Sequence, residues 1–153
     1  MSILVTNNNL IENEKYIYIH DDMLREMSFD RMEKKMYLLF ASCGNSLGEK
    51  KFCTQNGLRL KDNYQIIFGN VAGFCMSSCD FWGPDDRAAE LSFKERDAFK
   101  IIPELIKRGK QFDDDELETT ADQYMELEIL FISGDILTIA CQSMEFDKYE
   151  INF

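Results

Sequence analysis

Tyr124-Met125-Glu126-Leu127-Glu128-Ile129-Leu130-Phe131-Ile132, then Ser133-Gly134-Asp135, then Ile136-Leu137-Thr138-Ile139-Ala140-Cys141, is the stretch that decides the fold. In its first part Tyr124, Glu126, Glu128 and Leu130 alternate with Met125, Leu127, Ile129 and Phe131. A strand turns successive side chains to opposite faces, so a period of two describes a strand with one apolar face. Ser133-Gly134-Asp135 makes a tight turn, and residues 136–141 return as the second strand of a hairpin.

The pattern repeats on both sides. Downstream, Phe146, Tyr149, Ile151 and Phe153 suit a last strand from Glu145 onward. Upstream, residues 16–20 are aromatic and β-branched, which fits a short strand. Met23, Arg25, Met27 and Phe29 alternate with Leu24, Glu26, Ser28 and Asp30. A turn over residues 30–34 and an apolar run over 36–41 complete a second hairpin; a helix over 23–36 is the competing reading. Gly44, Asn45, Ser46 and Gly48 mark a loop, and Phe52 to Gln55 a short strand ended by Asn56-Gly57. Residues 64–76 read as one long strand, with Gly69 and Gly73 as bulges or bends. Phe81-Trp82-Gly83-Pro84-Asp85-Asp86 reads as a surface loop.

One stretch is helical. Ser92-Phe93-Lys94-Glu95 has capping-box spacing, and Phe99, Ile102, Leu105 and Ile106 recur at helical spacing. Pro103 implies a kink or a split, and Gly109 a stop. Strands, a helical stretch over about 93–108 and more strands give an α+β fold, mainly antiparallel: a sheet, sandwich or half-barrel with that helix packed on it. A doubly wound fold does not fit this order. At 153 residues the chain is expected to be a single domain, 1–153, with enough Phe, Tyr and Met to build a core without staples.

Charge is distributed unevenly. Residues 1–51 and 52–112 are each within one unit of neutral, while residues 113–153 hold twelve acids against Lys148 alone. That asymmetry accounts for the net charge of −11 and favours a basic partner over nucleic acid or an anionic membrane. Residues 1–20 lack a basic leader followed by an apolar core, and no apolar run reaches spanning length, so a cytoplasmic location is expected. The five cysteines are an odd number and are expected to be reduced.

No set of residues identifies a reaction. His20-Asp21-Asp22 holds the one histidine, and a general base there would need a nucleophile. Cys75 and Cys79 are the nearest thiol candidates, but both lie in an apolar segment and read as small buried hydrophobes. Their spacing is neither a redox pair nor a zinc half-site. The acidic run from Asp113 has no glycine and no alternation, so it is not an EF-hand loop. P-loop and dinucleotide fingerprints are absent, and neither a cofactor nor a metal is expected. The remaining candidates are binding residues: Asp113, Asp114, Asp115, Glu116, Glu118, Asp122, Glu126 and Glu128, with Trp82, Asp85 and Asp86 as a second group. On the strand, Glu126 and Glu128 are expected to form a negative face beside Tyr124.

The layout resembles that of small acidic bacterial immunity proteins of toxin–immunity pairs, contact-dependent inhibition systems among them. The resemblance is carried by His20-Asp21-Asp22 before a hairpin, Phe68-Gly69-Asn70-Val71 on a central strand, and Ser133-Gly134-Asp135 in a late hairpin ending near Cys141. It implies a cytoplasmic, non-enzymatic, one-to-one inhibitor of a basic toxin domain of the nuclease class. It transfers no toxin-contacting residue. A β-barrel holding an apolar small molecule and a small His20-dependent hydrolase are the alternatives.

Overall fold

The computed structural model describes residues 4–14, 17–43, 63–77 and 87–149. In chain order they form β1 (Val5–Thr6), α1 (Leu10–Asn13), β2 (Met23–Asp30), β3 (Lys35–Ala41), β4 (Tyr64–Gly69), β5 (Gly73–Ser77), β6 (Ala88–Phe93), α2 (Ile101–Gln111), α3 (Glu116–Thr120), β7 (Met125–Phe131), β8 (Ile136–Cys141) and β9 (Ser143–Lys148). The strands make two antiparallel sheets, ordered β1-β9-β4-β3-β2 and β5-β8-β7-β6. This is the α+β, mainly antiparallel architecture that the alternating pattern implies.

The two sheets share one bent ribbon. β4 runs on into β5 and β8 into β9, so the same pair of chain segments crosses from sheet to sheet. Gly69 pairs with Ser143 in the first sheet and Gly73 with Ala140 in the second. Across the corner Gln142 N–H donates to Gly69 O (3.1 Å) and Ala72 N–H to Ala140 O (2.9 Å). The single long strand expected over 64–76 is therefore two strands in different sheets. Asn70, in the left-handed region at φ 48°, makes the turn between them. Elsewhere Asp21 N–H donates to Ala88 O and Ala88 N–H to Asp22 O, both at 2.8 Å, and Met23 bridges Arg87. The sheets are thus tied together at β2 and β6 as well, without closing into a barrel.

The inner faces meet in one core. Met36, Leu38 and Phe40 of β3, Ile66 and Phe68 of β4, and Met144 and Phe146 of β9 pack with Met125, Leu127, Ile129 and Phe131 of β7 and Leu137 and Ile139 of β8. Every second residue of β7 from Met125 is buried there, which is why this strand is legible from its period alone. Among the described residues, Met36, Met125, Met144, Phe40, Phe68, Phe131 and Phe146 are members of this core. Cys141 lies in it too, and burial pushes its thiol up to about 12.

Three local expectations are corrected. Residues 17–19 have no regular structure, although Ile19 is buried in the core. Ser92 and Phe93 belong to β6, so the capping-box spacing is coincidental; an isolated 3₁₀ turn (Arg96–Ala98) follows and α2 starts at Ile101. Pro103 is then the third helical residue. It neither kinks nor splits the helix, because a first-turn amide has no intrahelical acceptor to lose. Residues 52–57 lie outside the described residues. The β2–β3 hairpin is present, and its turn is held by Asp30, whose Oδ1 accepts from Met32 N–H (3.0 Å) and Glu33 N–H (3.1 Å).

α2 packs across β5 and β8 on the outer face of the second sheet. Gly73 permits this approach: a Cβ there would sit 3.2 Å from Ile101 Cγ2 and 3.4 Å from Leu105 Cδ1. The larger side chain of Gly73→Val should lift the helix and cost about 1–3 kcal/mol. Urea unfolding measures the loss, and hydrogen exchange should localise it to α2; unchanged stability would show that the helix does not depend on this contact.

Candidate functional site

The acidic candidates are built on the connection from α2 to β7. α2 ends in a tight reversal in which Gly109 O accepts from Phe112 N–H and Asp114 N–H, both at 2.9 Å. A Cβ on Gly109 would lie 2.6 Å from Asp114 O, so only glycine permits the crossing. Asp113 takes the left-handed conformation (φ 55°), and Asp114 Oδ1 then accepts from Glu116 N–H (3.1 Å). α3 follows, with Asp115 at its start and Glu116 and Glu118 in its first turn, where negative charge meets the positive end of the peptide dipoles.

The underside of this connection is fastened. The Arg96 guanidinium donates to the carbonyls of Ala121 (3.1 Å), Asp122 (3.2 Å) and Tyr124 (3.2 Å). Asn7 Nδ2 donates to Asp122 O from the other side (2.8 Å). With its carbonyls held from below, the segment presents Asp113, Asp114, Asp115, Glu116, Glu118 and Asp122 as an exposed ledge. Lys110 Nζ reaches Glu118 Oε2 (3.3 Å), an exposed pair of small energetic weight. Phe112, 80% exposed, stands at the head of the run. Arg96 and Phe112 carry no motif and were not among the expected residues; an apolar residue directly before four acids was the available signal.

Glu126 and Glu128 do not belong to that surface. Their strand face, read from sequence as negative and solvent-exposed, lies against α2 and the chain leading into it. Glu126 has 0% exposure. Its Oε1 accepts from Lys100 N–H (2.9 Å) and Ile101 N–H (3.1 Å), and its Oε2 from Ile102 N–H (2.9 Å). These are three of the four amides that the start of a helix leaves unbonded, and the fourth position is Pro103, which has none. Glu126 is thus the cap of α2, supplied from a different element. Glu128 is half-buried and pairs with Lys94 Nζ at 2.9 Å. Trp82, Asp85 and Asp86 lie outside the described residues.

His20 is exposed. Among the described residues its ring has two polar partners: Nδ1 donates to Ala89 O (2.8 Å), and Nε2 lies 3.5 Å from Asp21 Oδ2. Neither is a nucleophile. Cys75, expected to be buried, is exposed because β5 is an edge strand; Cys79 lies outside the described residues. Asp22 is 7% exposed and structural: its Oδ2 accepts from the Tyr64 hydroxyl and its Oδ1 from Cys43 N–H (3.0 Å). Among the described residues no cluster of His, Cys, Asp and Glu is arranged to hold a metal, and no helix is long and apolar enough to cross a membrane.

No family model matches the chain, and no curated protein matches it. Among solved structures it is similar to an uncharacterized protein from Neisseria gonorrhoeae, at 12% identity and a TM-score of 0.39, over 96% of this chain and 97% of that one.

Variants at Glu126 and at Asp22 test the buried carboxylates. Glu126→Ala leaves three amides without an acceptor and should cost about 3 kcal/mol in urea unfolding, while Glu126→Gln, which keeps one acceptor oxygen, should cost less. Equal stability of all three proteins would remove the cap from the account. Desolvation raises the Asp22 pKa above the ordinary 3.8, outweighing the hydrogen bonds from Tyr64 and Cys43. The folded chain therefore holds this proton more tightly than the unfolded chain. The stability Asp22 contributes is full at low pH and falls as pH rises from near 3.8 through the higher folded-state value. Asp22→Asn abolishes that dependence, so the unfolding free energy of the variant minus that of the wild type should grow across this window and level off above it. A difference that stays flat with pH would contradict the assignment.

Proposed function

We propose that this chain is an immunity protein, which binds a cognate basic toxin domain of the nuclease class one-to-one and covers its active site with the carboxylates of residues 113–122. The observation that carries this reading is the ledge: six exposed acids on one connection, of which only Glu118 forms an ion pair among the described residues, with the backbone held by Arg96 and Asn7. A nuclease site is cationic because it handles phosphates. A fixed row of carboxylates competes for the same positive potential and steers encounter before contact. Holding the row in place beforehand reduces the ordering cost on binding.

The same field repels nucleic acid and anionic lipid, so the partner is protein, met in the cytoplasm where such a toxin acts. Binding needs no cofactor and no turnover, in keeping with a His20 ring that faces a carbonyl and a carboxylate. The resemblance to acidic immunity proteins points the same way.

The test begins with the adjoining gene, which on this reading encodes a large secreted protein ending in a basic toxin domain, and uses that domain as the partner; an adjoining gene of any other kind counts against the reading. Asp115→Lys, Glu116→Lys and Asp122→Lys together should slow association with that domain by about tenfold or more at low ionic strength and flatten the dependence of the on-rate on salt, as read by stopped-flow mixing. An unchanged on-rate and salt slope would reject the ledge as the binding surface.

A further inference from the structure

The second feature with the character of a site lies at the opposite end of α2. The tip of the β2–β3 hairpin leans over the β4–β5 corner, where Val71 N–H donates to Lys34 O (2.8 Å). Between them opens a cleft of about 230 Å³. Phe29 and Phe74 line it as a tilted pair in contact with each other, ring centroids 5.6 Å apart at 54°, and Met36 and Val71 also line it. Phe29 is 55% and Phe74 37% exposed. Arg31, Lys34 and Lys35 stand at the rim, and none of them forms an ion pair among the described residues. The carboxylate of Asp30 is turned toward the hairpin amides.

The dimensions and charge specify an occupant. Pockets for drug-sized ligands start at about 300 Å³, so this cleft suits one large side chain. Apolar walls under a cationic rim select a large apolar residue next to carboxylates. The chain displays such a segment itself, in Phe112 followed by Asp113-Asp114-Asp115-Glu116. Phe112 does not occupy the cleft of its own molecule, since it is 80% exposed.

We infer that Phe112 of one copy seats in the cleft of a second copy, against the Phe29–Phe74 pair, with the acids after it facing Arg31, Lys34 and Lys35. The contact is heterologous: each molecule offers a cleft at one end and an anchor at the other, so copies add head to tail. It is small, so the association is weak and belongs to high protein concentration. It also occupies residues of the acidic ledge, so self-association and toxin binding exclude each other.

Sedimentation velocity over rising protein concentration tests the inference. At low ionic strength the weight-average sedimentation coefficient should climb with concentration, and the climb should shrink at about 0.5 M salt. Phe112→Ser removes the anchor and Phe29→Ser the cleft wall; both positions are exposed, and each change should lower the association constant by about tenfold or more. Arg31→Glu with Lys35→Glu should do the same with the aromatic pair intact. An equimolar mixture of Phe112→Ser and Phe29→Ser should form a dimer and stop there, because the first variant brings an intact cleft and the second an intact anchor. A wild-type chain that stays monomeric throughout, single variants that associate like wild type, or a mixture that fails to pair would each overturn the inference. Phe29→Ser leaves the ledge untouched and should not alter the on-rate for the toxin domain, so failure of this inference and failure of the functional reading are told apart.

Discussion

The carboxylate of Glu126 fixes where α2 begins, and the connection to β7 follows from that. It sits on the second strand face with no exposure and takes three amides from the start of α2. A buried charge is tolerated only when its oxygens are fully met, and the first turn of a helix supplies N–H groups and the positive end of the peptide dipoles together. Pro103 completes the arrangement by lacking the fourth amide. With its origin set by Glu126 and its approach permitted by Gly73, α2 can run in one direction only. The reversal at Gly109 then delivers residues 113–122 to the surface, where Arg96 and Asn7 hold them.

This arrangement divides the acids of the last quarter of the chain into groups with different surroundings. Asp113 to Glu118 and Asp122 face solvent, several of them beside the start of α3. Glu126 and Asp135 are buried, and Glu128 is half-buried against Lys94. The basic residues Arg108 and Lys110 lie in the last turn of α2, next to the ledge, though they fall in the nearly neutral middle third of the sequence. The outward field is therefore weaker and more local than the residue count implies. What makes it usable for recognition is its fixed geometry rather than its total.

Period-two alternation made β7 readable, because Met125, Leu127, Ile129 and Phe131 all lie buried on the core face. β8 is buried on both faces and reads as an unbroken run, and β2 alternates in sequence although none of its residues is buried. The same logic misplaced Glu126. Alternation assigns a residue to a face but does not say what covers that face, and α2 arrives from a segment with no pattern in common with the strand. The division of residues 64–76 between two sheets was legible in part: Gly69 and Gly73 marked the bend, but a corner has the same apolar residues as a bent strand, so the change of sheet was not visible. Pro103 held more information than the capping-box spacing. A proline near the front of an apolar helical pattern places the helix start just before it, and here that start is Ile101. The acidic run was visible as composition, but the carbonyl clamp by Arg96 was not, since a side chain that binds backbone leaves no partner residue in the sequence.

The position of β9 has a consequence for vectorial synthesis. It lies between β1 and β4 in the first sheet, while β7 and β8 form the centre of the second, flanked by β5 and β6. As the chain leaves the ribosome, β2, β3 and β4 can pair as a meander, but β1, β5 and β6 find no neighbours until residues 125–148 have emerged. Throughout that interval the apolar faces of Met36, Leu38, Phe40, Ile66 and Phe68 have no opposing layer. Until β7, β8 and β9 have emerged, β2, β3 and β4 are a three-stranded sheet with one oily side.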